Sequence, residues 1–292
     1  MDDDGSEIHQ SRKRSMNQFS QIYDRIQVKP VTPALGAEVF GVDLSKPLDD
    51  QTFGEINAAF LRHSVLFFRD QTFDHASQKA FGRRFGDLAI HPAIAAPEGH
   101  PEIVPIHADE NSTKIAGERW HSDVSCVEEP PLGSILYLHT IPEVGGDTLF
   151  SSMYAAYDAL SDRMKEYLAG LTARHDGEEQ YRGRYDSDDA GKQYPAADHP
   201  VIRTHPETGR KCLFVNPIFT KRINGLPRLE SDAILQMLHQ HCAKEDFQVR
   251  FRWQPGSVAF WDNRCVQHLA IWDYYPQTRS GFRVTVNGDR PV

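Results

Sequence analysis

The sequence predicts a mainly β chain with several helices, built around an antiparallel β-sandwich or jelly-roll core. Two observations carry that prediction. The last third runs as apolar or alternating stretches, Phe247 to Trp253, Ser257 to Trp261 and Gly281 to Val286, separated by Pro255-Gly256 and Pro276-Gln277 turns. Helical spacing elsewhere does not alternate with strands in a regular βαβ rhythm, and no internal repeat is present. With 292 residues, 39% hydrophobic and 25% charged, the chain has enough apolar material for a sizeable core.

Residues from Met1 to about Asp24 are polar, with an acidic opening and an Arg12-Lys13-Arg14 cluster. They offer little to bury, so residues 1–25 are expected to be a disordered tail and residues 26–292 a single domain. From Ile26 to Val42, Pro30, Pro33 and Gly36 break an apolar run into short strands. Phe53, Ile56, Ala59 and Phe60 give helical spacing up to His63, and Ser64 to Phe68 reads as a buried strand. Asp74 is a good N-cap for a helix to about Phe85, ended by Gly86. Ala89 to Arg119 is rich in Pro, Gly and Asn and reads as a long loop. Beyond it the pattern predicts a strand over Ser134 to Leu138 and helices over Ser152 to Ala169 and Glu230 to Ala243.

Bulk properties exclude several functions. A net charge of −9 provides no basic field for nucleic acid. No stretch approaches the roughly 20 apolar residues that cross a bilayer, and the first residues lack an apolar signal core. Cys126, Cys212, Cys242 and Cys265 form no C-x-x-C pair, so neither a zinc finger nor a dithiol site is written here. They read as reduced thiols of a cytoplasmic protein.

The chemistry-bearing residues begin at Trp120-His121-Ser122-Asp123, where strand geometry would send His121 and Asp123 from one face. Trp261 to His268 supplies a second imidazole. Two histidines and one carboxylate leave half an octahedron open, which suits Fe(II) that must take a co-substrate and O2 together; zinc hydrolases use the same set. By itself an H-x-D triplet among 14 histidines reads more readily as a surface polar pair. Arg279 and Arg283 add weight. Four positions apart in a predicted strand, they share a face, and an inward arginine needs an anion, whether a ligand or an internal carboxylate such as Asp262.

WHSD at 120–123, PPLGSILYL at 130–138, GGDTLF at 145–150, the stretch from Val201 to Asn216, FQVRFRWQPG at 247–256 and WDNRCVQH at 261–268 together resemble the taurine/2-oxoglutarate dioxygenase family. The resemblance runs from about Val28 to Val292 and includes GAEVFGVDLSKPL and FGDLAIHP. It implies a double-stranded β-helix with Fe(II) on His121, Asp123 and His268. It also implies 2-oxoglutarate held by its distal carboxylate on Arg279 and Thr148, and O2 as the second co-substrate, with succinate and CO2 as co-products. Thr148 taken alone reads equally as a β-favouring strand residue. Because Asp123 is a carboxylate, hydroxylation rather than halogenation is implied.

The family's sulfonate-binding positions fall on His91, Arg283 and the backbone of Val124, with aromatic walls at Phe219 and Trp253. Taken alone, His91 also reads as a loop residue capping a turn before Pro92. Where taurine enzymes grip the amine with a tyrosine and an Asp-Asn pair, Ile94 and Ala116-Gly117 stand here, and a Ser-Phe pair is replaced by Gln180-Tyr181. The substrate expected is therefore a small anionic molecule, an alkylsulfonate or alkyl sulfate ahead of taurine. An aryloxyalkanoate or other carboxylate is the alternative, followed by a zinc-dependent hydrolase and a non-catalytic binding module. Residues 175–185 read either as a lid over the substrate or as a solvated loop. A homo-oligomer is the family's habit.

Overall fold

The computed structural model describes residues 23–91, 94–183 and 191–292. The expected disordered tail up to Ser20-Gln21-Ile22, and the end of the 175–185 segment including Tyr185, lie outside the described residues. Strands β1 (Gln27–Pro30) and β2 (Ala37–Phe40) form an antiparallel hairpin. Helix α1 (Asp50–His63) starts one turn before its first apolar residue because Asp49 accepts the Thr52 N–H at 2.8 Å. It ends at Ser64, whose left-handed backbone (φ 62°) turns the chain into the fully buried β3 (Val65–Phe68). Helix α2 (His75–Arg83) carries the expected Asp74 cap as a reciprocal capping box with Ser77.

The segment Ala89–Arg119 is not wholly loop. It contains β4 (Val104–Ala108), an edge strand held by pairing with the C-terminal strand rather than by a strong pattern of its own. Strands β5 (Gly133–Thr140) and β6 (Thr148–Ser152) follow. The helix expected over Ser152–Ala169 is two helices, α3 (Met153–Asp158) and α4 (Asp162–Leu168). Ser152 caps the first and Ser161 the second, so a new start is written inside an apolar stripe that keeps its helical period across the break.

Strand β7 (Thr172–Asp176) leads to the short α5 (Glu178–Tyr181), then β8 (Ala196–Pro200), β9 (Ile202–Thr204), β10 (Lys211–Leu213) and β11 (Thr220–Ile223). Helix α6 (Arg228–Cys242) precedes β12 (Gln248–Phe251), β13 (Ser257–Asp262), β14 (Val266–Ala270) and β15 (Arg279–Val286). No helix among the described residues is long and apolar enough to cross a membrane.

The larger sheet has the order β1-β2-β3-β13-β5-β15-β4, antiparallel except between β2 and β3; a smaller one is β12-β6-β14. Period-2 alternation along β13 explains how they stack. Ala259 and Trp261 face the smaller sheet, while Val258 and Phe260 face the helices. Phe67 lies flat on Phe251 at 4.0 Å between the sheets, and Phe150 closes against Trp261 at 5.6 Å. On the outer face Phe60 of α1 stacks on Phe260 at 3.9 Å. The fold is thus mainly β, with α1 and α2 on the outer face of the larger sheet, α3, α4 and α6 packed into the other core cluster, and an interior between two sheets where β6, β14 and β15 converge.

Candidate metal centre

His121 and His268 are joined through their backbones. His121 donates its N–H to the His268 carbonyl at 3.1 Å, and the reverse bond is 2.8 Å, so the two residues form an antiparallel rung. Of His121 and Asp123, only His121 is extended. Asp123 and Val124 lie in a turn, with Val124 at φ 46°, which corrects the expectation that His121 and Asp123 share a strand face. The turn is fixed from below by buried polar contacts, Ser125 Oγ to His175 Nδ1 at 3.0 Å and Asn216 Nδ2 to Ser125 Oγ at 2.9 Å.

The three side chains nevertheless converge, all of them buried. His121 Nε2 and His268 Nε2 stand 3.8 and 3.9 Å from Asp123 Oδ1. These separations are too long for hydrogen bonds and leave three donor atoms facing one point, as a shared ion requires. His121 Nδ1 donates to the Arg119 carbonyl at 2.8 Å, which leaves Nε2 with its lone pair inward. Burial holds both imidazoles below their ordinary pKa, and for His268 well below, so they are neutral ligands at physiological pH. Burial works against ionising Asp123, but the Arg283 guanidinium and the Ser134 hydroxyl outweigh it and keep its carboxyl well below the usual range. A divalent cation fits this donor set.

A second cluster, His205, Asp262 and Cys265, has similar proximity but different chemistry. Arg264 takes both Asp262 oxygens at 2.8 and 2.7 Å. His205 donates Nε2–H to Asp262 at 3.0 Å and accepts two backbone N–H groups at Nδ1, so no lone pair is left for a metal. It is a closed strut under the turn from β13 to β14. Arg264 also answers the alternative for Arg283: Asp262 is already satisfied, and Arg283 Nη1 meets Asp123 Oδ1 instead, at 2.7 Å.

Sequence reasoning missed the residues that orient Asp123. Ser134 Oγ donates to Asp123 Oδ2 at 2.7 Å, and Asn263 Nδ2 donates to Ser134 Oγ at 3.0 Å. Asn263 Oδ1 accepts from the Asp123 backbone N–H at 3.2 Å and from Trp261 Nε1 at 2.9 Å. The only signal was a serine inside the otherwise apolar β5 segment; Asn263 sits in the polar turn Asp262-Asn263-Arg264, where nothing local marks it. Ser134→Ala is expected to weaken Mn(II) binding about 10- to 100-fold with the fold intact, measured by calorimetry. Unchanged affinity would show that Ser134 does not hold the ligand. Gly117 was also missed as a requirement: at φ 83°, a Cβ there would lie 2.9 Å from the His121 ring.

On the next stretch of the same wall, Arg279 is 5% exposed and donates Nε–H to the Gly146 carbonyl at 3.0 Å and Nη2–H to Thr148 Oγ1 at 3.3 Å. No carboxylate among the described residues stands within ion-pair distance of it, so its charge is matched by no internal partner. Burial lowers its pKa, yet a guanidinium remains charged. Gly146 is part of the seat, since a Cβ there would press on Pro142 at 2.9 Å and on Arg279 at 3.2 Å. Trp253 lies here too, donating to Thr148 Oγ1 at 3.0 Å with the Arg279 guanidinium 5.5 Å from its ring. It therefore stands beside the Arg279 pair, apart from Phe219.

The remaining predicted residues gather on the opposite side. Val124, Tyr181 and Phe219 pack in one small apolar cluster, and Gln180 is buried beside them on α5. His91 meets Tyr181 edge-on at 6.0 Å and accepts the Ile94 N–H at Nδ1, which puts its proton on Nε2. Burial and the nearby Arg283 push the His91 pKa down to about 4, so at neutral pH it offers an N–H rather than a charge.

Residues 27–285 match the model of the taurine catabolism dioxygenase TauD, TfdA family. An alpha-ketoglutarate-dependent sulfate ester dioxygenase of Pseudomonas putida is 36% identical, over 91% of this chain and 91% of that protein. An alpha-ketoglutarate-dependent sulfonate dioxygenase of Saccharomyces cerevisiae is 34% identical, over 98% of this chain and 74% of its own length. The crystal structure of a taurine dioxygenase from Burkholderia xenovorans superposes with a TM-score of 0.80 at 38% identity, covering 92% of this chain and 93% of that one. With the His-Asp-His centre and the buried arginine beside it, the chain belongs to the taurine catabolism dioxygenase TauD, TfdA family, as a dioxygenase that depends on Fe(II), 2-oxoglutarate and O2.

Proposed function

We propose that this enzyme hydroxylates an alkylsulfonate or alkyl sulfate at the carbon bearing the anionic group. The observation that carries the reading is the pair of buried guanidinium groups on one face of β15, Arg279 and Arg283, flanking the three metal-binding side chains. Two anions must be bound for this reaction, and the two arginines supply one clamp each. The relatives named for sulfate esters and sulfonates support the choice of anion.

In this reading His121, Asp123 and His268 hold Fe(II), and Arg279 with Thr148 holds the distal carboxylate of 2-oxoglutarate. His91, Arg283 and the backbone of Val124 hold the substrate's sulfonate or sulfate, and Phe219, Gln180 and Tyr181 close the wall beside it. Bound together, Fe(II), 2-oxoglutarate and O2 supply the oxidation, with succinate and CO2 as co-products. The chain's part is to orient the C–H and keep water out. Hydroxylation next to the sulfur-bearing group gives an adduct that collapses to an aldehyde and sulfite or sulfate. We read the two stacked sheets as a double-stranded β-helix core within one domain from about residue 26. We also read the enzyme as cytoplasmic, without nucleic-acid or membrane partners, a reading supported by its four buried free thiols and net charge of −9.

The test is turnover of a panel of sulfonates, sulfate esters and aryloxyalkanoates with Fe(II) and 2-oxoglutarate, scoring sulfite or sulfate against succinate. Equimolar release is expected. Arg283→Ala should raise the KM for the sulfur-containing substrate by roughly 30-fold or more, the scale of removing one partner of a buried charge pair. Turnover of aryloxyalkanoates alone would replace this reading with the carboxylate one.

A further inference from the structure

The turn Gly145-Gly146 lies between β5 and β6 and reaches Arg279 through one atom, the Gly146 carbonyl that accepts the arginine's Nε–H at 3.0 Å. Both glycines have left-handed backbones, φ 84° and 73°. Glycine enters that region about as readily as it leaves it, so the turn's own residues do not fix where the carbonyl points. On the reading that Arg279 holds the distal carboxylate of 2-oxoglutarate, we propose that Asp273 is a positioning residue for that arginine: it pins the Gly145-Gly146 turn and so sets the guanidinium at the angle that receives the keto acid.

Asp273 lies in the loop between β14 and β15, and its Oδ1 accepts the Gly146 N–H at 2.8 Å. Gly146 is thus held from both sides, its N–H on Asp273 and its carbonyl on Arg279. A Cβ on Gly145 would collide with the same Asp273 carboxylate, so the turn is closed down upon it. Arg250 of β12 ties this carboxylate to the smaller sheet. Its Nη2 stands 3.9 Å from Asp273 Oδ2, while its Nε donates to Asp147 Oδ2 at 2.6 Å. The Glu143 N–H bonds Gln277 Oε1 at 2.7 Å, and the Ile271 N–H bonds the Asp147 carbonyl at 3.0 Å. Those two bonds hold the ends of the turn; the bond from Asp273 holds its middle.

The consequence for Arg279 follows from its donors. Nε–H is committed to Gly146 and one Nη2–H to Thr148 Oγ1 at 3.3 Å, which fixes one edge of the guanidinium plane. The remaining hydrogens point from the Nη1 and Nη2 end, where a carboxylate takes two parallel bonds. A turn that drifts would release Nε, and the arginine would then have to be ordered each time a keto acid binds, at a cost in affinity. Asp273 touches neither metal nor keto acid in this scheme and acts only through the turn. Its side chain is 45% exposed and that of Arg250 56%, so removing the carboxylate strands no buried charge and leaves the fold standing.

The experiment is anaerobic titration of the Fe(II)-loaded protein with two keto acids, 2-oxoglutarate and 2-oxobutanoate, read from the visible absorption that a metal-bound keto acid gives. 2-Oxobutanoate has the same metal-binding end but no distal carboxylate. Asp273→Ala should weaken 2-oxoglutarate about 10-fold, the scale of one charge-assisted hydrogen bond, and leave the affinities for 2-oxobutanoate and Mn(II) unchanged. Asp273→Asn keeps an oxygen for the Gly146 N–H and should recover most of the loss. In an Arg279→Ala background, Asp273→Ala should cost nothing more. Equal weakening of both keto acids would mean that Asp273 serves the fold rather than the arginine, and would overturn the proposal. So would an Asp273→Asn variant no better than Asp273→Ala, or a further loss in the Arg279→Ala background. If Asp273→Ala binds 2-oxoglutarate as the wild type does while Arg279→Ala does not, the role of Asp273 fails and that of Arg279 stands. If Arg279→Ala itself binds 2-oxoglutarate normally, the reading of Arg279 fails and the role of Asp273 with it.

Discussion

His268→Ala is expected to abolish metal-dependent turnover, lowering Fe(II) affinity more than roughly 1000-fold. Groups that merely orient a metal ligand are already worth about 10- to 100-fold, so losing a ligand costs more. The variant should still fold. Asp123 keeps its bonds to Ser134 and Arg283, so no buried charge is stranded, and the rung between residues 121 and 268 is made by backbone atoms. The check is the weak visible absorption that Fe(II) and 2-oxoglutarate give together under anaerobic conditions. It should be present in the wild-type protein and missing in the variant at equal circular dichroism. A band that survives would mean that the metal sits elsewhere.

Arg279→Ala should leave metal binding nearly intact and destroy the affinity for 2-oxoglutarate. Removing one partner of a buried charge pair costs about 2–5 kcal/mol, or roughly 30- to 5000-fold in KM for the keto acid. Arg279→Lys should recover only part of it, because an ammonium cannot reproduce the two-pronged contact of a guanidinium with a carboxylate. Thr148 and Trp253 remain bonded to each other in either variant, so the seat persists. The measurement separates an oxygenase from a hydrolase built on the same three ligands. A hydrolase would lose nothing at Arg279 beyond local packing, and unchanged activity in Arg279→Ala would favour it.

Much of this was legible in the sequence where one residue type does one local job. Asp74 marks its helix because a carboxylate there meets free N–H groups, and the unbroken apolar run from Val258 to Trp261 marks β13 as a buried strand. The metal ligands and both arginines were found by type and spacing, although His121 and Asp123 meet through a turn rather than along a strand. What stayed hidden depends on partners distant in the chain. Strand β4 exists because β15 offers it an edge, Ser134 matters because Asp123 comes to rest above it, and Trp253 turns toward Thr148. None of these leaves a local pattern. The break at Ser161 was hidden for the opposite reason, since the apolar period runs straight through it.

The rung between His121 and His268 bears on how such a protein can change. Because main-chain atoms set the spacing of the two imidazoles, that spacing does not depend on which side chains stand around them. Neighbouring side chains can be exchanged without moving the two imidazole ligands apart, as long as β4 keeps its edge against β15 and so holds Arg279 and Arg283 in register. The iron ligands and the groups that choose the substrate can therefore change on separate schedules.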